Sequence, residues 1–115
     1  MKDINEKLHY KGKDYKLAFN LNVMESIQEE YGSLEAWGNQ TDGTTGEPNV
    51  KAVIFGFTQM LNEGIEIENE ENGTNLPLLS LKQVGRMITE VGLVNATKKL
   101  NETVVASTES TEKNE

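Results

Sequence analysis

Five glutamates within nine residues, Glu63, Glu66, Glu68, Glu70 and Glu71, form the densest group of side chains in this sequence that could do chemistry. Carboxylates so crowded could ligate calcium or share acid–base work. An EF-hand loop needs oxygen ligands at fixed places and a bidentate Glu at the twelfth. Setting Glu68, Glu70, Asn72 and Gly73 on the first, third, fifth and sixth places puts Leu79 on the twelfth, so the pattern fails at its most demanding ligand. Glycosidase-type catalysis needs two carboxyls fixed across a cleft, whereas these stand in a stretch that reads as an exposed loop. His9 is the sole histidine and there is no cysteine. It falls in the outward register of a strand. Zinc sites, iron–sulfur clusters and Cys- or Ser/His-based nucleophilic catalysis therefore lack their raw material. Gly43 and Gly46 follow no strand and precede no Lys-Ser/Thr pair, so they do not make a phosphate loop. The sequence predicts no enzyme: no catalytic residue, no cofactor and no metal.

Charge narrows the partners. Nineteen acidic against eleven basic side chains in 115 residues leave a formal charge of -8, which argues against a surface that gathers nucleic acid or anionic lipid. The acidity is uneven: residues 17 to 90 hold twelve acids and only three bases. The least polar stretch, AVIFGFTQML at 52–61, is half of the roughly 20 residues that span a bilayer. The first sixteen residues are charged throughout, with no apolar h-region. The expectation is a cytoplasmic protein with no membrane and no nucleic-acid partner. Hydrophobic residues, at 36%, are sparse for a compact domain, so polar segments must lie outside the core.

The elements that would position these residues follow from periodicity. Leu8 and Tyr10, then Tyr15, Leu17 and Phe19, alternate about Lys11, Gly12 and Lys13, predicting a β-hairpin over about 6–20 with one apolar face. A two-stranded hairpin is marginal alone, so that face must dock on helices. From 22 to 31 the period becomes helical, with Met24, Ile27 and Tyr31 on one face and Asn22 with Glu25 as a capping box. Ser33 caps a short helix over 33–38, and the GNQTDGTTG segment after Trp37 reads as a loop. Pro48 suits the first turn of an apolar helix over 48–63, with Val50, Val53, Ile54, Phe57 and Leu61 as its stripe. The acidic segment from Gly64 to Pro77 reads as a loop, its Ile-Glu-Ile-Glu run at 65–68 leaving a short strand open. Ser80 with Gln83 marks a capping box for a helix over 80–91, with Leu81, Val84, Ile88 and Val91 buried. A last helix covers 93–104. Residues 105–115 lack an apolar face and read as a disordered polar tail. The fold class is α+β, one domain over 1–104: a hairpin packed on a bundle of about four helices.

Phe55, Met60 and Met87 fall beside these stripes. Methionine and aromatic side chains make adaptable contact surfaces. The three are therefore candidates for binding another protein's helices, and the width of apolar surface on helix 48–63 points the same way.

Order and phrasing together carry a resemblance. A strand, a turn with Gly12, Lys13 and Tyr15, a second strand with Leu17 and Phe19, a helix ending in Glu29 to Ser33 (EEYGS), and a later helix opening with Leu79 to Ile88 (LSLKQVGRMI) occur in this sequence. The chain over about residues 8–104 resembles the small tail-assembly chaperones of long-tailed phages and prophages of low-GC Gram-positive bacteria. Members of that family show a GKxY turn, an xLxF strand, an EEYGS or EEFGS helix end and an LTLEEVGxLI phrase. The resemblance implies a non-enzymatic protein that binds and solubilises the helical tape-measure protein and helps recruit tail-tube subunits. It implies no catalytic residues. It also implies that a frameshifted longer form would extend the tail beyond Val105. Other readings open at this point are a different phage structural or interaction module, or an acidic inhibitor that mimics DNA.

Overall fold

A computed structural model describes residues 6–42 and 46–113, with side chains as far as Ser107. Among the described residues the architecture is α+β: an antiparallel hairpin of β1 (Lys7–Tyr10) and β2 (Lys13–Lys16) followed by five helices. These are α1 (Leu21–Tyr31), α2 (Leu34–Thr41), α3 (Val50–Asn72), α4 (Leu81–Val91) and α5 (Leu93–Lys113). Residues 43–45 of the predicted loop and 114–115 of the predicted tail lie outside the described residues.

The hairpin turns at Lys11 and Gly12, both at positive φ (49° and 75°). Positive φ at both central residues is the mirror-image turn that matches the right-handed twist of paired strands. Leu8 then pairs with Tyr15, and His9 with Asp14. Leu8, Leu17 and Phe19 go into the core. His9 faces outward, its Nδ1 2.7 Å from Asp14 Oδ1, with both side chains exposed.

α3 is the hub, packing against β2, α1, α2, α4 and α5. Val53, Phe57, Met60 and Leu61 are fully buried along it. Two glycines let other chains approach its axis. A Cβ at Gly56 would collide with the Trp37 ring, whose Nε1 donates to the Ala52 carbonyl at 3.0 Å. A Cβ at Gly64 would lie 2.5 Å from the Lys16 carbonyl oxygen. That notch lets the end of β2 run against the helix, and Ala18 N–H donates to the Met60 carbonyl at 3.2 Å.

Several predicted boundaries move. α1 is capped by Asn20, whose side chain accepts from Val23 N, instead of by Asn22. Glu63 is the reason, for its Oε2 accepts from Asn20 Nδ2 at 2.7 Å and Asn22 Nδ2 at 3.1 Å, tying the start of α1 to α3. The buried pair on α1 becomes Val23 and Ile27, with Met24 and Tyr31 half-buried. Ser33 caps α2 as predicted, but the helix continues to Thr41, into the segment read as a loop. Asn49 caps α3, so Pro48 precedes the helix, and Val50 is exposed.

The largest correction is the acidic segment: 64–72 is the second half of α3 and not a loop or strand. Ile65, Ile67 and Asn69 are half-buried there, while Glu66, Glu68, Glu70 and Glu71 face outward. Gly73, at φ 66°, ends the helix by donating its N–H to the Asn69 carbonyl, so the Asn72-Gly73 signal marks a C-cap. α4 carries the predicted capping box between Ser80 and Gln83. Its buried face is Val84, Met87 and Ile88, and Leu81 is exposed instead.

Helical backbone in α5 extends to Lys113, past the predicted tail boundary at 105. Here Thr97 and Thr103 are buried, each hydroxyl donating to the carbonyl four residues earlier, at 2.8 and 2.9 Å. A hydroxyl satisfied by its own helix can enter a packed face, and one turn past Thr103, beyond the predicted boundary, Ser107 is buried as well.

The two glycine environments give opposite expectations. Gly64→Ala sets an overpacking cost of about 1–3 kcal/mol against a helix-propensity gain of about 1 kcal/mol. It should lower the urea midpoint. Gly85→Ala, whose Cβ would meet only Ile54 Cδ1 at 3.5 Å, should raise the midpoint, with a stability gain of up to about 1 kcal/mol.

Candidate functional site

The site is built by a linker that the sequence does not mark. Asn62 and Asn69 stand seven residues apart, two turns along one face of α3. Asn62 Nδ2 donates to the Leu79 carbonyl at 3.0 Å and its Oδ1 accepts from Leu79 N–H at 2.8 Å. Asn69 does the same for Leu76, at 3.1 and 2.9 Å, and also accepts from Thr74 Oγ1 at 2.9 Å. Each amide thus takes both backbone groups of one linker residue, as a strand neighbour would. The linker runs back along α3, and Ser80 launches α4 beside the middle of the longer helix. Gly85 then reaches Ile54. As α4 advances from 79 to 85, its partners on α3 retreat from 62 to 54, so the two helices are antiparallel.

Their N-terminal half of α3 and outer face of α4 leave an open groove of about 670 Å³. Val50, Ile54, Phe55 and Leu81 supply its apolar surface, and Gly85 contributes bare backbone. Val50 and Leu81 remain 51% and 53% exposed, and they edge the same groove. Phe55 is half-buried, its ring edge-on to Tyr31 at 5.6 Å and 67°. Partial burial, and secondarily the Glu30 carboxylate, hold the Tyr31 hydroxyl pKa above its ordinary value.

Of the three residues predicted to bind a partner, Phe55 alone lines the groove. Met60 is 0% and Met87 3% exposed; both are core. Met60 packs inward because α3 is enclosed by other elements on most sides and has little outer face at that level. Met87 replaces Leu81 in the buried stripe of α4. The spacing 84, 87, 88, 91 matches the i, i+3, i+4, i+7 rule and was the available signal for Met87, as 53, 57, 60, 61 was for Met60.

Lys51, Lys82 and Arg86 line the groove. They are the three bases in residues 17–90, converging from two helices on one apolar surface. All three are exposed. A second cleft, between α2 and α5, contrasts with it: Leu34, Trp37, Val104 and Val105 line it with Glu35 and Asp42, and no base is among its described lining residues. Among the described residues no group of three or more His, Cys, Asp or Glu could hold a metal ion. No described helix is long and apolar enough to cross a membrane. No protein-family model, curated protein or solved structure matches the chain.

The Asn62 clasp is open to direct test. Asn62→Ala leaves the Leu79 N–H and carbonyl without their partner, at about 1–3 kcal/mol for a part-buried pair. Asn62→Asp keeps the acceptor and loses the donor, so urea denaturation should place it between wild type and Asn62→Ala.

Proposed function

We propose that this chain is a non-enzymatic chaperone of phage tail assembly, acting in the host cytoplasm. In this reading it holds amphipathic helical segments of the tape-measure protein, keeps that protein soluble and helps recruit tail-tube subunits. The observation that carries it is the open groove between α3 and α4, where Val50, Ile54, Phe55 and Leu81 present apolar surface to solvent in a molecule of charge -8. Helix-in-groove recognition needs such a surface, about two turns long, to take anchors at i, i+3 or i+4, and i+7. The strongly charged exterior keeps the complex from aggregating. The order of turn, strand and helix phrases along residues 8–104 supports the assignment to tail assembly in particular.

An acidic DNA mimic is the second reading, favoured by the outward row of Glu66, Glu70 and their neighbours on α3. The two separate by salt. A complex resting on carboxylates in phosphate-like array weakens steeply as salt rises, and one resting on apolar anchors does not.

Co-expression with the tape-measure protein encoded in the same phage or prophage is the test. The expected result is co-purification that survives moderate salt, with more client in the soluble fraction. Gly85→Leu projects a side chain into the groove from a position where a Cβ meets only Ile54 Cδ1 at 3.5 Å, so it should cut capture while leaving the circular dichroism spectrum intact and the urea midpoint at or above wild type. Absence of both co-purification and solubilisation would remove the proposal.

A further inference from the structure

We infer that the groove between α3 and α4 selects helices carrying carboxylates beside their apolar anchors. This deepens the chaperone reading by naming the chemistry of the bound segment, and it rests on the groove being a helix site. Residues 17–90 contain twelve acids and three bases, and all three bases, Lys51, Lys82 and Arg86, line this one apolar surface. Among the described residues the ion pairs are His9–Asp14 and Lys99–Glu6, and none of the three groove cations takes part in one. An exposed cation gains little from solvent, but beside a surface that a partner dehydrates its attraction to a carboxylate strengthens.

The geometry fits a helix. Lys82 to Thr89 covers about two turns of α4, roughly 10 Å, and the antiparallel run sets Lys51 on the opposite wall. Cations on both walls flank the apolar floor of Ile54 and Phe55. An occupant with Leu-type anchors on its inner face and Glu or Asp on both shoulders would meet a base on each side. Elsewhere in residues 17–90 the charged side chains are carboxylates, which repel such an occupant; the other exposed bases, Lys7, Lys11 and Lys13 on the hairpin and Lys98 on α5, stand outside the groove lining. A basic amphipathic helix would find the reverse, with cations facing it at the anchor site and carboxylates attracting it elsewhere.

Two fluorescein-labelled synthetic helices test this, both with Leu at i, i+3, i+4 and i+7, one with Glu and one with Lys on the shoulders. Fluorescence anisotropy against the full chain should show the Glu peptide binding roughly tenfold or more tighter than the Lys peptide. The triple variant Lys51→Glu, Lys82→Glu, Arg86→Glu alters exposed side chains only, and it should reverse the order of the two peptides. Equal binding of both by the wild type, an unchanged preference in the triple variant, or no binding of either would overturn the inference. So would concentration-dependent self-association of the chain alone that the triple variant abolishes, since a second copy would then occupy the groove. Tape-measure capture unaffected by the triple variant would remove the acidic selectivity and leave the assembly reading standing. Failure of capture alongside a clear peptide preference would do the opposite.

Discussion

Two asparagine amides, Asn62 and Asn69, decide where the second half of the chain runs. A backbone segment leaving a long helix usually finds its hydrogen bonds in another strand or in water, and an unsatisfied buried N–H or carbonyl is costly. Here both groups of Leu79, and both of Leu76, are met by side chains of α3. The linker is therefore held along the helix it has just left, and α4 begins at a fixed height beside it. Everything about the groove depends on this. Without it the capping box at Ser80 would still start a helix and Val84, Met87 and Ile88 would still drive that helix onto the core, but the start of α4 would lose its tether at the level of Asn62.

The same helix accepts close approach at two other levels, and both use missing side chains. Gly56 admits the Trp37 ring and Gly64 admits the Lys16 carbonyl. Each glycine costs a helix interior about 1 kcal/mol relative to alanine, and each is offset by contacts a Cβ would forbid. Trp37 gains a partner for its indole N–H in the Ala52 carbonyl, and Ala18 gains one in the Met60 carbonyl. With α2 seated at the first notch and the hairpin at the second, the remaining sides of α3 take α1, α4 and α5. The groove is what is left where α4 leaves the N-terminal turns of α3 uncovered.

What could be read from the sequence follows the range of each interaction. The hairpin register and the caps at Ser33 and Ser80 rest on neighbours within nine residues, and each signal stands in the sequence itself. The second half of α3 does not. A Glu-rich segment after a glycine reads as a loop because charge density and Gly64 both oppose a helix locally. The helix persists because Ile65, Ile67, Asn62 and Asn69 find partners that are distant in sequence or supplied by the returning linker. The extension of α5 was hidden for a related reason, since its buried face runs on from Thr103 to Ser107, polar residues that no apolar stripe would reveal. For the candidate site, Phe55 was legible as an aromatic beside the main stripe. Met60 and Met87 share helical spacing with buried neighbours, but that they are enclosed, at 0% and 3% exposed, depends on the elements packed around α3 and is a tertiary fact.

Charge along α3 carries the functional argument furthest. Lys51 stands near its start, at the groove, and Glu66, Glu68, Glu70 and Glu71 stand exposed near its end. From Lys51 these carboxylates are fifteen to twenty residues along the helix, roughly 22–30 Å, about three Debye lengths or more at physiological salt, where one is about 8 Å. The acidic end therefore does little to neutralise the cations of the groove, and each region acts on what touches it. A helix-binding protein that must remain soluble while holding an apolar client needs that separation: one surface that dehydrates and discriminates, and another that stays hydrated and repels its own kind. Placing both on a single continuous helix makes their spacing rigid, so that, on the proposed reading, an occupied groove would leave the charged end undisturbed.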